Sequence, residues 1–315
     1  MNGARPVWEL ALVARVDLLL HSLNNEGSVG TSMRPRRLMV PTQNGLEERD
    51  GVSGEMLKHG HAAFLHYLAV SGNGLPLCEG CRFLHPQRAA YQAQGLTAYQ
   101  AIEKCVICDV HGFLIPGEDV YRETAVQFSW AVTTHGAVRQ SHQHARHDPF
   151  RGRREGDTVQ MPYQRPTRSG TYALATLVQF WRIGVDLLSS DGTGFRKIAP
   201  DDRKRRAKAT LEALRSLLLR PDGAMVATRL PHLTGARGVF LVSEGPPVPV
   251  ISPLEDGFTD VAQHLAQNVG ARCYTFSSLQ QMAERFEVIL QQVDQWGLGE
   301  PGLPGQPPQD AVSGR

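Results

Sequence analysis

Lysine is scarce in this chain: five of the 33 basic residues are lysine and 28 are arginine, set against 31 acids for a net charge of +2. Arginine fits phosphate and stacks on flat rings better than lysine does, although a GC-rich genome produces the same skew. Long apolar runs are missing too. The run "LALVARVDLLL" is broken by Arg15 and Asp17, whereas a membrane span needs about 20 apolar residues, and no secretory leader is apparent. The expectation is a cytoplasmic protein without membrane attachment. No GxGxxG, P-loop, GxSxG or HExxH pattern occurs and no internal repeat is visible, so nothing assembles a nucleophile, a base and an oxyanion site. Unpaired cysteine is nearly absent, because four of the five cysteines form two CxxC pairs. That usage favours thiolate or metal chemistry over disulfides.

A length of 315 residues with 41% hydrophobic content suits one large core with insertions, or two lobes. Residues 8–20 alternate, with Leu10, Leu12, Ala14, Val16, Leu18 and Leu20 on one side, which predicts a strand with one buried face. The following "HSLNNEGSVGTSMRPRR" reads as a polar loop. At "VSGEMLKHGHAAFLHYLA" Ser53 can cap a helix with Glu55 in its first turn. Met56, Leu57, Ala63, Phe64, Tyr67 and Leu68 would form its core face, leaving Lys58, His59 and His61 on the exposed side and flank.

Further strands are expected at 123–134, in "GTYALATLVQFWRIGVDL", "AMVATRL" and "GVFLVSEG". Helices are expected at "DDRKRRAKATLEALRSLLL", 258–269 and 277–296. The core order of strand, helix, strand, strand, helix, strand predicts an α+β, ferredoxin-like arrangement of the kind RNA-recognition domains use. Residues 71–118 interrupt this order as an insertion. The stretch 135–168 carries seven arginines against three acids, and the Pro/Gly-rich tail 299–315 reads as disordered.

Cys78 and Cys81 are separated from Cys105 and Cys108 by 23 residues. Two such knuckles can give four thiolates to one structural zinc with no position left for water; reduced pairs buried as small hydrophobes, or a redox pair, are the alternatives. A catalytic zinc of the deaminase kind fits less well, since "PLCEGC" separates proline from cysteine and "HGHA" lacks the glutamate. His142, His144 and His147 in "SHQHARHD" invite a metal reading, but their arginine-rich surroundings suit a cationic loop lying on phosphates. Lys58, His59 and His61 near a helix start can meet phosphate or simply form a solvated face.

Several segments together resemble one family. They are "LHSLNNEGSVGTS", "VSGEMLKHGH", "DVHGFL", "VQMPYQRPTRSGTYAL", and "ATRLPH" with "LVSEGPPVP". In this order they resemble the Cas seven backbone subunit of type I CRISPR surveillance (Cascade) complexes, in its type I-A, DevR-like or archaeal autoregulator branch. The resemblance implies a modified RNA-recognition palm (1–70 and 119–298), a finger insertion (71–118) and a thumb (about 135–168). It implies RNA contact by Asn24, Lys58, His59, His61, Gln160, Met161, Arg165 and Arg229, with Met161 wedging against a base. CRISPR RNA, target DNA paired to it, copies of the chain in a head-to-tail filament and other Cascade subunits are the implied partners. No catalysis is expected. A metal-dependent RNA nuclease is the competing class, although the loop after the first strand offers Asn24, Asn25 and Glu26 where an aspartate would cut. A zinc-containing transcriptional regulator is the other.

Overall fold

A computed structural model describes residues 6–92, 96–116, 120–147, 160–191, 194–245 and 247–301. In chain order its strands and helices are β1 (Glu9–His21), β2 (Asn25–Val29), β3 (Ser32–Pro35), β4 (Arg37–Thr42), β5 (Gly45–Val52) and α1 (Gly54–Val70). Next come α2 (Glu79–Arg82), α3 (Ala98–Lys104), α4 (Val106–His111), β6 (Phe113–Ile115), β7 (Val120–Arg122), β8 (Val126–Phe128) and β9 (Ala131–Thr133). They are followed by β10 (Val138–His147), β11 (Gln160–Gln179), β12 (Val185–Ser190), β13 (Phe195–Lys197) and α5 (Pro200–Leu219). The chain closes with β14 (His232–Ser243), α6 (Phe258–Asn268), β15 (Arg272–Phe276) and α7 (Leu279–Val293).

The architecture is mixed α and β around one large, mainly antiparallel sheet ordered β15-β14-β1-β11-β9-β5-β4. β1 is central, running antiparallel to both β11 and β14 from Glu9 to Leu18. Its alternation holds from Leu10 to Leu18; Leu20, expected on the buried side, is exposed past a shift in register, and both faces of the strand are covered. Leu10, Leu12, Ala14 and Val16 enter the main core with residues of α1, α5 and α7. Ala11 and Val13 enter a second core beneath Phe258, Ala262 and Ala266 of α6. Arg15, on that second face, donates to the carbonyls of Pro253, Leu254 and Glu255, so its charge lies under a loop instead of facing water.

α1 starts where the sequence places it, with Ser53 Oγ accepting from the Met56 amide. Its buried face differs from the expected one: Gly60, His61, Ala62, Phe64 and Leu65 are buried, and Tyr67 is 66% exposed. The helix packs on α5 and on α4 of the insertion, two neighbours on different sides, which rotates the buried stripe away from a single 3.6-residue periodicity. α5 has its acids first, Asp201 and Asp202, with Pro200 opening the helix; Ala199 before it gives no side-chain cap.

Two stretches expected as loops are β-ribbons. Residues 25–35 fold as the hairpin β2–β3. The arginine-rich stretch folds as β10 paired with the first half of β11, from Val138↔Ser169 to His147↔Gln160. β10 is exposed to solvent along its described length, so it carries no apolar alternation to read. "AMVATRL", expected as a strand, is a run of turns at 224–228 with Met225 at φ +58; Pro221 and Pro231 bracket it, and proline cannot donate to a ladder. The edge strand β15 was hidden because its five residues are too few to show a period. No helix of the described residues is long and apolar enough to cross a membrane. Most of the tail expected to be disordered, 302–315, lies outside the described residues, as do Arg151, Arg153 and Arg154.

Candidate four-cysteine centre and nucleic-acid interface

Each CxxC pair sits on the first turn of a short helix. Cys78 precedes α2 and Cys105 precedes α4 as the capping residue, and Cys105 Sγ accepts from the Cys108 amide at 3.4 Å. The helix starts thus face inward with Cys81 and Cys108 one turn on, and partial positive charge at a helix start favours thiolates. Cys78 Sγ and Cys81 Sγ each lie 3.7 Å from Cys108 Sγ, and all four sulfurs lie within 4.8 Å of one another. None is in a disulfide. Four thiolates at a metal–sulfur distance of about 2.3 Å on a tetrahedron have edges of about 3.8 Å, so the cluster can hold a metal ion. Hydrogen bonds from Cys105, Cys108 and Cys81 push the Cys78 thiol down, whereas bonds to Cys105 push Cys81 and Cys108 up. Cys273 stands apart on β15, half-buried.

The same α4 ties the insertion to the rest of the fold. Asp109 is fully buried and accepts from Arg122 Nη2 at 2.5 Å, Arg206 Nη1 at 2.8 Å and the Gly184 amide at 2.9 Å. Arg122 also donates to the Val185 and Arg182 carbonyls, and Arg206 to those of Ile102 and Glu103. In "DVHGFL", therefore, Asp109 is a joint of the architecture. Gly112 ends α4 at φ +74, where an added Cβ would meet the Arg122 carbonyl at 2.3 Å, so only glycine fits.

The eight residues singled out as RNA contacts fall into four groups. Lys58 is half-buried and His59 exposed on α1. His61 is corrected: it is fully buried, its Nδ1 2.9 Å from His111 Nε2 and its Nε2 2.9 Å from the Thr210 carbonyl. Gly60 beside it lets α1 approach α5, since a Cβ there would meet Leu217 at 2.9 Å. Asn24 is also turned inward: it is 6% exposed and its Oδ1 accepts from the Ser53 amide at 2.9 Å, fixing the end of β1 to the start of α1. Gln160 and Met161 belong to β11, opposite His147 and Arg146; their side chains lie outside the described residues.

Arg165 and Arg229, 64 positions apart, are brought into one row. The Arg165 guanidinium lies 4.8 Å from the Tyr163 ring centre. Tyr163 stacks on His144 at 5.3 Å with planes 19° apart, and Arg229 Nη2 lies 3.1 Å from His144 Nε2. A cation, two flat rings and a second cation thus join the β10–β11 ribbon to the turns at 224–228. Tyr163 and His144 escaped the sequence reading because they are neighbours only across the ladder. At the ribbon's base Arg168 is fully buried and donates to the Asn24 carbonyl at 2.7 Å. Beside it, Arg139 donates to Asp50 at 2.7 Å and Glu48 at 2.9 Å.

Residues 12–263 match the family described as CRISPR-associated negative auto-regulator DevR/Csa2. Two curated relatives are both described as CRISPR-associated protein Cas7/Cst2/DevR. The one from Methanocaldococcus jannaschii is 25% identical over 82% of this chain and 88% of its own length. The one from Thermoproteus tenax is 27% identical over 62% of each. Among solved structures, a chain of a CRISPR RNA-guided surveillance complex in a pre-nicking state superposes with TM-score 0.44 at 17% identity, over 73% of this chain and 75% of its own. A chain of a second such complex superposes with TM-score 0.41 at 17% identity, over 89% and 84%.

Proposed function

Since the chain belongs to the CRISPR-associated DevR/Csa2 family, we propose that it is a CRISPR RNA-binding backbone subunit of a type I surveillance (Cascade) complex. Copies line up head to tail along the guide and present it, with other Cascade subunits, for pairing with target DNA in the cytoplasm. The observation that carries this reading is the family match across residues 12–263. The row from Arg165 to Arg229 supports it, because cations and stacked rings on an open ribbon hold nucleic acid without reading its sequence.

The order β1, α1, β9, β11, α5, β14, with β14, β1, β11 and β9 adjacent in the sheet, supports a ferredoxin-like, RNA-recognition-type palm. The β10–β11 ribbon takes the thumb's place and residues 71–118 the finger's. Both faces of β1 are covered, so the guide runs along the ribbon and the adjoining turns, not across an open sheet. The four-cysteine cluster is a structural zinc site: thiolates suit zinc, and the four sulfurs leave no open position for a reacting water. Cleavage is not part of the role. Asn24 and Glu26 in the loop after β1 are committed to the Ser53 and Arg37 amides.

The test is to purify the chain, extract nuclease-resistant nucleic acid and measure metal in the same sample. Protected RNA in lengths at a regular interval, oligomers that shorten as salt rises, and one zinc per chain are expected. A salt-insensitive dimer without RNA would overturn the reading. The family's description as a negative auto-regulator favours a second one, a duplex-DNA-binding regulator; competition by a defined duplex site over single-stranded RNA would select it.

A further inference from the structure

A cavity of about 280 Å³ lies between α3, β7 and β12, with Ile102, Leu187 and Leu188 as its apolar walls. Its size approaches that of small-molecule sites, which begin at about 300 Å³. It is remote from the row on the ribbon. The ribbon's pairing ends at Ser169, and β11 continues to Gln179, about 30 Å further, before the chain reaches Arg182 and β12.

The polar lining is charge-balanced, with Arg122 and Arg182 set against Glu123 and Asp186. Arg122 is paired with Asp109, and Arg182 Nη1 with Glu123 at 2.8 Å. Asp186 is 3% exposed and has no ion-pair partner among the described residues. Its carboxylate accepts there from the Leu188 amide at 3.0 Å and the Ser189 hydroxyl at 2.6 Å. A carboxylate takes up to about four hydrogen bonds, so half of its capacity is open, in a setting where buried carboxylates are ordinarily paired. Arg182 Nε, for its part, has no acceptor among the described residues.

Equal numbers of cations and anions favour an uncharged group in the cavity, because a charged one would introduce an unbalanced ion. That group must present adjacent N–H donors to Asp186, an acceptor to Arg182 and flat apolar faces to the aliphatic walls. Guanine carries N1–H and N2–H on one edge with O6 beside them. Adenine, cytosine and uracil each offer a single donor group, which leaves part of the carboxylate unmatched.

We propose that the cavity is a guanine-binding site, in which Asp186 accepts from N1–H and N2–H and Arg182 donates to O6. Tyr121 and Leu188, 49% and 53% exposed, form its mouth, and the ribose and phosphate remain in solvent. A bound base bridges the insertion to β12. The site stands apart from the RNA-binding reading and does not depend on it.

The test is calorimetric titration of the full chain with guanosine 5′-monophosphate, against the adenosine, cytidine and uridine monophosphates. The guanosine nucleotide is expected to bind about tenfold more tightly than the others, each of which leaves a buried polar group unmatched, and to raise the melting midpoint. Leu188→Trp closes the mouth from an exposed position, so binding should be lost while the unliganded chain melts as before. Asp186→Asn offers one acceptor and one donor in place of two acceptors. It should bind guanosine monophosphate about tenfold more weakly, and bind xanthosine 5′-monophosphate, which has a carbonyl in place of the amino group, more tightly than the parent chain does. A structural role for Asp186 would not exchange one base for the other. A uridine oligomer ending in guanosine separates two sources of the base: binding of the mononucleotide alone assigns a free nucleotide, and binding of both admits an RNA end. No saturable binding of guanosine monophosphate, equal binding of all the nucleotides, or binding left intact by Leu188→Trp would overturn the proposal. Capture of N-acetyl-arginine amide instead would assign the cavity to a partner's basic side chain and overturn it as well.

Discussion

His61 and His111 share one proton across 2.9 Å inside the core, and the Thr210 carbonyl decides which way it points. A carbonyl only accepts, so the proton on His61 is at Nε2. Its Nδ1 then accepts from His111 Nε2–H, and His111 Nδ1 has no hydrogen-bond partner among the described residues. Both rings are neutral in this arrangement. A proton added to His61 would set two donors against each other.

Burial holds His61 down to about 4, against the opposing Thr210 bond, and His21 down to about 3, with Arg168 adding to the effect; His111 is also well below its ordinary value. The unfolded chain takes up these protons first, near pH 6.5. Stability is therefore full above that pH and falls as pH drops from about 6.5 towards 4, by about 1.4 kcal/mol per pH unit for each histidine. Denaturant melts of metal-free protein between pH 7.5 and 5 check this. His61→Asn should lower stability at pH 7.5 and flatten the slope by one histidine's share; an unchanged slope would count against the buried pair.

Cys105→Ser removes a sulfur while keeping at the start of α4 a side-chain oxygen that can accept from the Cys108 amide. Bound zinc should fall from one per chain to near zero, and the midpoint of melting should fall by roughly 2 °C or more for each kcal/mol lost. Cys273→Ser should leave the zinc content unchanged. Cobalt substitution should give the absorption of tetrahedral thiolate coordination; octahedral spectra would argue against four sulfurs.

Asp109→Ala leaves Arg122 and Arg206 buried without their ion-pair partner. Breaking a buried pair from one side costs about 3–5 kcal/mol, so the variant should melt far lower, or fail to accumulate. A change under 1 kcal/mol by urea titration would show that the two arginines find other acceptors.

Tyr163→Ala should weaken single-stranded RNA binding by about 1–3 kcal/mol if a base joins the row, and Tyr163→Phe should retain it. Arg229→Ala should weaken binding and lower its salt slope. Equal affinity of Tyr163→Ala and the parent chain in fluorescence anisotropy would remove the row from the interface.

Asn24→Ala separates two roles that sequence alone runs together. Its Oδ1 satisfies the Ser53 amide, so the expected result is a loss of about 1–3 kcal/mol in stability with RNA affinity per folded molecule unchanged. Loss of affinity without loss of stability would restore Asn24 as a contact.

The elements most legible in the sequence were those with a local signal: β1 from its alternation, α1 from Ser53, and α5 from its leading acids. The cysteine cluster was legible from spacing, because two CxxC knuckles restrict how four sulfurs can meet. What escaped had no local signal. β10 carries no buried apolar stripe, His61 looked like a flank residue until α4 closed over it, and the Tyr163–His144 stack depends on a register the chain does not spell out. Motif resemblance placed Asn24 and His61 in the right neighbourhood and said nothing of which way their side chains turn.

The buried guanidinium of Arg168 has a mechanical consequence. Ten register pairs run from Val138↔Ser169 to His147↔Gln160, so the ribbon extends about 30 Å from its base. A rotation of about 10° there carries the far end about 5 Å, one strand spacing. The Arg168 bond to the Asn24 carbonyl and the Arg139 bond to Asp50 therefore act as a pivot clamp, and small changes at the base become large errors of aim at the tip.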